Sequence, residues 1–246
     1  FAQGDYRAAV GSARPLSADY GAAPALHLGL EPLTATARFT GDRLEVWAPT
    51  QAPELARRAA ADAGGVRLSE TTLYPVPVGD QSGRALEADA VPIAVALAKR
   101  LGRPVQVTFP SSQHVRNDKP RPPLLARMAA LPAQAGGLAA WSVRLAGADG
   151  IRASMARLLG GGGEGFGPTS LHGAVPPYAI PNLLVEGVPV ALPIQSGYMR
   201  GQEHAATCFF TECFIDEMAR TAGAEPLAYR MGMLGGNTRL ARAVST

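Results

Sequence analysis

Glycine and proline recur so often along this chain that much of it must be loop and turn, with compact helices and strands joined by long irregular segments. The 246 residues include 28 glycines and 21 prolines. Glycine disfavours helices and strands because its backbone loses the most conformational freedom there, and proline disfavours them because it has no backbone N–H. Hydrophobic residues make up 47% of the chain and charged residues 17%, which is enough apolar material for one large core or two modest ones. The sequence therefore predicts a soluble globular protein with compact elements and long connections.

Charge and hydropathy exclude two classes of partner. The net charge of +3 arises from scattered arginines, not from a basic run, so we expect no nucleic-acid partner. No stretch approaches the roughly 18 to 20 apolar residues that a membrane span needs, and no secretory leader is visible. The chain begins at Phe1 instead of a methionine, so we expect further residues upstream. The compartment stays unassigned.

The first half of the chain alternates between strand and helix patterns. Two alternating segments flank Gly41-Asp42, which is typical hairpin chemistry. Glycine pairs or basic residues followed by glycine mark two helix ends. The predicted order is strands 36–39 and 44–48, helix 53–63, strand 66–73, helix 86–101 and strand 104–109. This order predicts an α+β fold with mixed sheets packed with helices.

A polar, proline-rich stretch at residues 111–123 predicts a surface crossing and a module boundary. Beyond it the sequence predicts strand 138–145, a glycine loop at 160–168, one or two strands over 182–191, and helices 203–221 and 226–234. We therefore expect two α+β modules, residues 1–120 and residues 121–246, with the second incomplete at its C-terminal end.

Short motifs on their own do not assign a function. The run from Gly160 to Gly167 contains a formal G-x-G-x-x-G, but a threonine-, serine- and proline-rich loop is expected after it instead of the helix that a dinucleotide site needs. The four histidines lie far apart and suggest hydrogen-bonded structural residues, not metal ligands. Cys208 and Cys213 lie in one predicted helix at a spacing that points them to different sides, too far apart for a disulfide. We expect both to be buried thiols.

The order of several longer segments is more informative. HLGLEPLTATA at residues 27–37, LEVWAPTQAP at 44–53, LEADA at 86–90 and GRPVQVT at 102–108 are followed by YAIPN, RG and ECFIDE, which begin at Tyr178, Arg200 and Glu212. In this order the segments resemble the xanthine dehydrogenase and aldehyde oxidase family, specifically its large (beta), molybdopterin-binding subunit of the isoquinoline 1-oxidoreductase type. The resemblance spans nearly the whole chain from about Ala8.

The resemblance implies which residues contact the cofactor. In the family, the glutamine of the T-Q pair lies beside the molybdenum centre, which implies that role for Gln51. A glycine-rich loop approaches the cofactor with its backbone amides, and its counterpart here supplies Gly79, Ser82 and Gly83. The family's R-G pair corresponds to Arg200 and Gly201. This sequence departs from the family at Asp80, which adds a negative charge to the loop, and at Gln202, which replaces a substrate-stacking aromatic residue.

The activity implied by the resemblance is hydroxylation of an aldehyde or an aromatic N-heterocycle with oxygen derived from water. The cofactor is molybdopterin, including its cytosine dinucleotide form, and the partners are an iron–sulfur subunit or domain with 2Fe–2S clusters and the rest of the large subunit. The family's catalytic glutamate lies outside this chain, so we expect no catalytic residue and no protein metal ligand here, and no activity from this chain alone. The alternative is a cofactor-free paralogue or stable fragment with a binding or structural role.

Overall fold

The computed structural model describes residues 1–79, 82–134, 136–160 and 167–246, without the side chains of residues 168, 169, 202 and 203. The strands are β1 Ala2–Gln3, β2 Leu16–Ala22, β3 Thr34–Thr40, β4 Arg43–Pro49, β5 Thr71–Val76, β6 Val105–Thr108, β7 Leu124–Pro132, β8 Leu138–Gly147 and β9 Asn182–Pro189. The helices are α1 Tyr6–Val10, α2 Pro53–Gly64, α3 Ala90–Leu101, α4 Ser111–Arg116, α5 Gly150–Leu159, α6 Pro168–His172, α7 Gln202–Thr221, α8 Pro226–Met233 and α9 Thr238–Ser245. Short 3-10 helices cover Leu68–Glu70 and Arg84–Leu86.

The first sheet has the order β5-β4-β3-β6. Strands β3 and β4 form the predicted antiparallel hairpin, while β5 runs parallel to β4. Every second residue of β4 is buried, including Leu44 and Val46, because side chains alternate across a strand and only one face meets the helices. Val91 and Val95 of α3 complete this core.

The second sheet has the order β1-β9-β8-β7-β2 and is also mixed, since β9 runs parallel to β8 and the other pairs are antiparallel. The long helix α7 covers one face of it. Trp141 of β8 and Phe214 of α7 are fully buried, with ring centroids 5.2 Å apart. The protein thus has an α+β fold of mixed sheets packed with helices, as the sequence predicts.

The chain crosses between the sheets near its N-terminus. Strands β1 and β2 pair with β9 and β7, so residues 2–22 lie in the sheet built by the second half of the chain. A division into modules 1–120 and 121–246 remains a proposal, in which these N-terminal residues would pack with the second module.

Helix α3 begins four residues later than predicted. Pro92 has no N–H to donate and is tolerated only in the first turn of a helix. A helix starting at Leu86 would place Pro92 in its interior, whereas a start at Ala90 places it in the first turn. The preceding Arg84–Leu86 turn is 3-10 instead. Strand β5 likewise begins at Thr71 because Leu68–Glu70 form a 3-10 turn.

The prediction that residues 111–123 form a surface crossing is wrong in part. Residues Ser111–Arg116 form helix α4, and the side chains of His114 and Lys119 are buried. Lys119 can be buried here because it pairs with Glu87 and Asp89 from a distant segment, which no local pattern reveals. The prediction of two buried thiols is also wrong, since Cys208 is exposed and Cys213 is half-buried, although both are free.

Candidate functional site

A cavity of about 480 Å³ brings together five of the six predicted cofactor-binding residues. Its lining residues are Gln51, Val78, Gly79, Ser82, Gly83, Tyr198 and Arg200. They come from three separate parts of the sequence: the end of β4, the segment after β5, and the segment before α7. The sixth predicted residue, Gly201, follows Arg200 directly and caps the N-terminus of α7.

Backbone hydrogen bonds hold Gln51 at the end of β4. The Gln51 amide donates to the carbonyl of Ala85 at 3.0 Å. The Thr50 hydroxyl donates to the same carbonyl at 3.3 Å and accepts from the Ala52 amide at 3.0 Å. Gln51 therefore follows the strand in a fixed turn, with its backbone tied to the Arg84–Leu86 segment.

The other walls of the cavity are joined through Ser82 and Gly83. Ser82 has φ +49° and Gly83 has φ +103°, and the Arg200 amide donates to the Ser82 carbonyl at 2.8 Å. A Cβ on Gly83 would lie 2.7 Å from the Tyr198 ring, and a Cβ on Gly79 would lie 2.6 Å from a Glu31 carboxylate oxygen. Gly83 is thus required by its positive φ and by packing, whereas a residue larger than glycine at Gly79 would displace the Glu31 carboxylate. Asp80 and Gln81 lie outside the described residues.

Two polar side chains of this cavity are available for a ligand. Gln51 and Arg200 are both exposed, and within the described part of the chain neither side chain has a hydrogen-bond or ion-pair partner. Next to Arg200, Gly201 has φ +72° and provides no side-chain cap for the 20-residue helix α7. An uncapped helix start and a guanidinium both favour an anionic oxygen-rich group. The departure noted at Gln202 concerns a side chain outside the described residues.

A buried ion network lies behind the cavity. Arg157 donates to both carboxylate oxygens of Glu87 at 2.6 and 2.8 Å, Lys119 pairs with the same carboxylate at 2.9 Å, and the Ser154 hydroxyl donates to it at 3.0 Å. Burial on its own raises the pKa of Glu87, but the hydrogen bonds from Arg157 and Lys119 outweigh burial and lower the pKa to about 2.

Asp118 is the second buried carboxylate of this network. It accepts from the ring of His27 at 2.9 Å and from the His27 backbone amide at 2.8 Å, and it lies 3.2 Å from Nε of Arg84. That last contact is an ion pair without an aligned hydrogen bond, because Nε of Arg84 has no bonded partner among the described residues. Burial raises the pKa of Asp118, while the hydrogen bonds from His27 and Lys119 lower it to about 2.

These two carboxylates predict a loss of stability in acid. The folded state lowers both pKa values below the ordinary 4.5 of a glutamate and 3.8 of an aspartate. The two carboxylates therefore contribute fully to the free energy of unfolding above those pH values, and their contribution is lost as the pH falls towards about 2. Urea unfolding at a series of pH values measures this change. The Glu87→Gln variant, which lacks one titrating carboxyl, should show a shallower pH dependence than the wild type. Equal slopes for both proteins would contradict the assignment of Glu87.

A second cavity, of about 620 Å³, lies along α7 and contains none of the predicted site residues. Its lining includes Tyr178, Cys208, Glu212 and Arg230. The charged groups are already paired, since Arg230 donates to Glu212 at 2.8 Å and the Tyr178 hydroxyl donates to Glu212 at 2.9 Å. Its charged lining groups are therefore satisfied within the protein, whereas the cavity at Gln51 and Arg200 contains an arginine without a partner among the described residues.

Sequence patterns missed three residues that build the first cavity. His27, Glu31 and Tyr198 contact its walls. His27 and Glu31 lie in the HLGLEP segment, which carries part of the family resemblance, but the resemblance assigned no role to either residue. For Tyr198 the signal was its closeness to Arg200 in sequence.

Other expectations concern metals, membranes and the glycine run. The described residues include no cluster of three or more histidine, cysteine, aspartate or glutamate side chains suited to a metal ion. In the described ranges no helix combines the length and apolar character of a membrane span. Most of the Gly160 to Gly167 run lies outside the described residues, but a five-residue helix α6 follows it, where a loop was expected.

A family profile and several relatives match this chain. A profile of the molybdopterin cofactor-binding domain matches residues 1–233. The B chain of nicotinate dehydrogenase from Pseudomonas putida is 28% identical over 234 residues, which are 93% of this chain and 20% of that protein. The beta chain of isoquinoline 1-oxidoreductase from Brevundimonas diminuta is 24% identical over 88% of this chain and 28% of that protein. The chain thus spans less than a third of either relative.

Solved structures share the fold. The aldehyde oxidoreductase of Desulfovibrio gigas has a TM-score of 0.76 at 21% identity and covers 95% of this chain, which matches 25% of that structure. Quinoline 2-oxidoreductase of Pseudomonas putida has a TM-score of 0.76 at 18% identity, with 93% of this chain and 29% of that structure covered. At these identities the likeness establishes the fold.

Proposed function

The chain belongs to the molybdopterin cofactor-binding domain family, and from this premise we propose that the cavity at Gln51 and Arg200 contacts a molybdopterin cofactor. The chain is then part of the large subunit of a molybdenum hydroxylase, which oxidises an aldehyde or an aromatic N-heterocycle with oxygen derived from water. The observation that carries the proposal is the convergence of Gln51, Gly79, Ser82, Gly83 and Arg200, predicted from separate segments, on one cavity.

The residues of the cavity fit a phosphate-bearing pterin with oxygen atoms around a metal. The Arg200 guanidinium offers planar donors and a positive charge, and the start of α7 at Gly201 adds a positive potential beside it. The carboxamide of Gln51 offers both a donor and an acceptor. Neither side chain has a partner among the described residues, so both can bind the cofactor without breaking an existing bond.

In the proposed reaction the cofactor supplies the two-electron oxidation chemistry when it is bound, and this chain supplies orientation. Arg200 and Gly201 would hold the anionic part of the cofactor, Gln51 would orient its polar atoms, and the wall formed by Gly79, Ser82 and Gly83 would limit access from one side. The described lining residues include no histidine or carboxylate. We propose that the general base, a glutamate, is supplied by another part of the large subunit.

The names of the relatives support the substrate class. Nicotinate and isoquinoline, after which two relatives are named, are aromatic N-heterocycles, and the structural neighbours include an aldehyde oxidoreductase. We propose an iron–sulfur subunit or domain with 2Fe–2S clusters as the electron acceptor and the cytosine dinucleotide form as one form of the cofactor. The isolated chain, which spans a minor part of its relatives, is proposed to be inactive by itself.

Isotope labelling tests the proposed reaction. The complete large subunit, purified with its iron–sulfur partner, is supplied with a panel of aldehydes and aromatic N-heterocycles in water labelled with oxygen-18. We expect the hydroxylated product to carry the heavy isotope under unlabelled dioxygen. Product oxygen derived from dioxygen, or no oxidation of any member of the panel by a molybdenum-loaded preparation, would contradict the proposal.

A further inference from the structure

One short segment before β3 contacts two walls of the cavity at Gln51 and Arg200. The Arg200 wall contains Tyr198 and Arg200, and the Gly79 wall contains Gly79, Ser82 and Gly83. His27 lies at one end of the segment, and its ring is buried, with a side-chain exposure of 1%. Glu31 lies at the other end, where its carboxylate accepts a hydrogen bond from the Gly79 amide. Neither side chain lines the cavity itself, so each acts through a residue that does.

His27 connects the buried network to the wall that carries Arg200. One ring nitrogen, Nδ1, lies 2.9 Å from the Asp118 carboxylate, and the other, Nε2, lies 2.9 Å from the Tyr198 carbonyl. Both ring nitrogens face acceptors. The ring therefore bridges the buried Asp118 carboxylate and the carbonyl of Tyr198, two residues before Arg200. The amide of Tyr198 is held on its other side, where it donates to the Ser154 hydroxyl at 2.8 Å.

The neighbouring backbone is also held closely. The Gly197 amide donates to the Pro120 carbonyl at 3.1 Å, and a Cβ on Gly197 would lie 2.8 Å from the Lys119 carbonyl oxygen. The Arg200 amide then donates across the cavity to Ser82 at 2.8 Å. The position of Arg200 therefore depends on a chain of contacts in which the bond from His27 to the Tyr198 carbonyl is one discrete step.

We infer that His27 and Glu31 are positioning residues, of which His27 acts mainly on the Arg200 wall of the cavity and Glu31 mainly on the Gly79 wall. The part of this inference that concerns the cofactor rests on the proposed function, whereas the part that concerns the two walls does not. Among the contacts of the described residues, His27 meets the Tyr198 carbonyl beside Arg200, and Glu31 meets the Gly79 amide on the other side of the cavity.

Two substitutions at His27 separate its two bonds. In His27→Gln the amide nitrogen takes the place of Nε2 and can donate to Tyr198, whereas in His27→Asn it takes the place of Nδ1 and keeps only the bond to Asp118. Hydrogen exchange of the complete large subunit, read with mass spectrometry, is the measurement. We expect His27→Asn to speed exchange of the Gly197, Tyr198 and Arg200 amides on the order of fivefold, and His27→Gln to stay near the wild type.

Substitutions at Glu31 give the reciprocal result. Glu31→Ala should speed exchange of the Gly79 amide more than that of the Arg200 amide, and Glu31→Gln, whose carbonyl still accepts, should restore slow exchange. Arg127→Ala, which removes an exposed side chain of the second sheet, is the control and should change neither wall. Equal behaviour of His27→Asn and His27→Gln, or acceleration spread evenly over both walls, would overturn the inference.

The molybdenum content of the same samples separates this inference from the proposed function. The expected exchange pattern in a large subunit that binds no molybdenum would support the positioning roles and contradict the proposed function. Full molybdenum content in the wild type without the expected exchange pattern would contradict the positioning roles alone. If both hold, His27→Asn should lose metal on dialysis several-fold faster than His27→Gln, because the donation to Tyr198 amounts to about one hydrogen bond.

Discussion

Replacement of Asp118 by alanine is expected to lower the free energy of unfolding by about 3 kcal/mol. The carboxylate is buried, with a side-chain exposure of 2%, between the equally buried side chains of His27 and Arg84. Breaking a buried ion pair leaves its partner charge without compensation, which usually costs about 3 to 5 kcal/mol. We expect the lower end of that range because Arg84 keeps its ion pair with Asp89.

Urea unfolding of the wild type and of Asp118→Ala measures this difference. The matched control is Asp19→Ala, which removes an equivalent carboxylate from an exposed pair with Arg127 and should leave stability unchanged, because exposed pairs are screened by water and salt. Asp118→Asn should fall between the wild type and Asp118→Ala, since an amide oxygen still accepts from His27. Equal stability of Asp118→Ala and Asp19→Ala would show that the buried network does not stabilise the fold.

Replacement of Arg200 by alanine is expected to weaken cofactor retention about 10- to 100-fold, because a charged hydrogen bond contributes about 1.5 to 3 kcal/mol. Arg200 has no side-chain partner within the described chain, so the same substitution should leave the unfolding free energy unchanged. Gln51→Ala should weaken retention less, since its carboxamide is uncharged. Molybdenum per chain after exhaustive dialysis, determined by plasma mass spectrometry, measures both effects.

The control for Arg200 is Arg144→Ala on strand β8, where an exposed arginine pairs with Glu186 and does not line the cavity. It removes the same charge without touching the cavity. Equal retention by Arg200→Ala and the wild type would place the anionic part of the cofactor elsewhere. Equal losses in both arginine variants would indicate a general effect of charge and not a specific contact.

Local rules predicted the first sheet well and the second sheet poorly. The Gly41-Asp42 hairpin, helix α2 with its left-handed Gly65 cap, and helix α7 follow from turn chemistry and periodicity. Strands β2 and β7 were missed because alanines occupy much of their buried face, as at Ala126 and Ala130, and a small apolar residue gives only a weak strand signal. Helices α5 and α9 were missed as well.

The candidate site was predictable only through resemblance. Gln51 and Arg200 lie 149 positions apart in numbering, and no local pattern indicates that they share a cavity. The network behind it was not predicted at all, because Asp118 and Lys119 lie in a polar, proline-rich stretch that ordinarily indicates a solvent-exposed loop. Their partners, His27 and Glu87, are distant in sequence, so their burial follows from tertiary pairing and not from composition.

The most direct test uses anomalous diffraction at the molybdenum absorption edge to locate the metal in crystals of the complete, metal-loaded large subunit. We expect an anomalous peak beside the cavity lined by Gln51, Ser82 and Arg200, with cofactor density in contact with the Arg200 guanidinium. A peak beside the cavity of Tyr178 and Cys208, or at any place from which Gln51 and Arg200 make no contact with the cofactor, would contradict the proposed cofactor site.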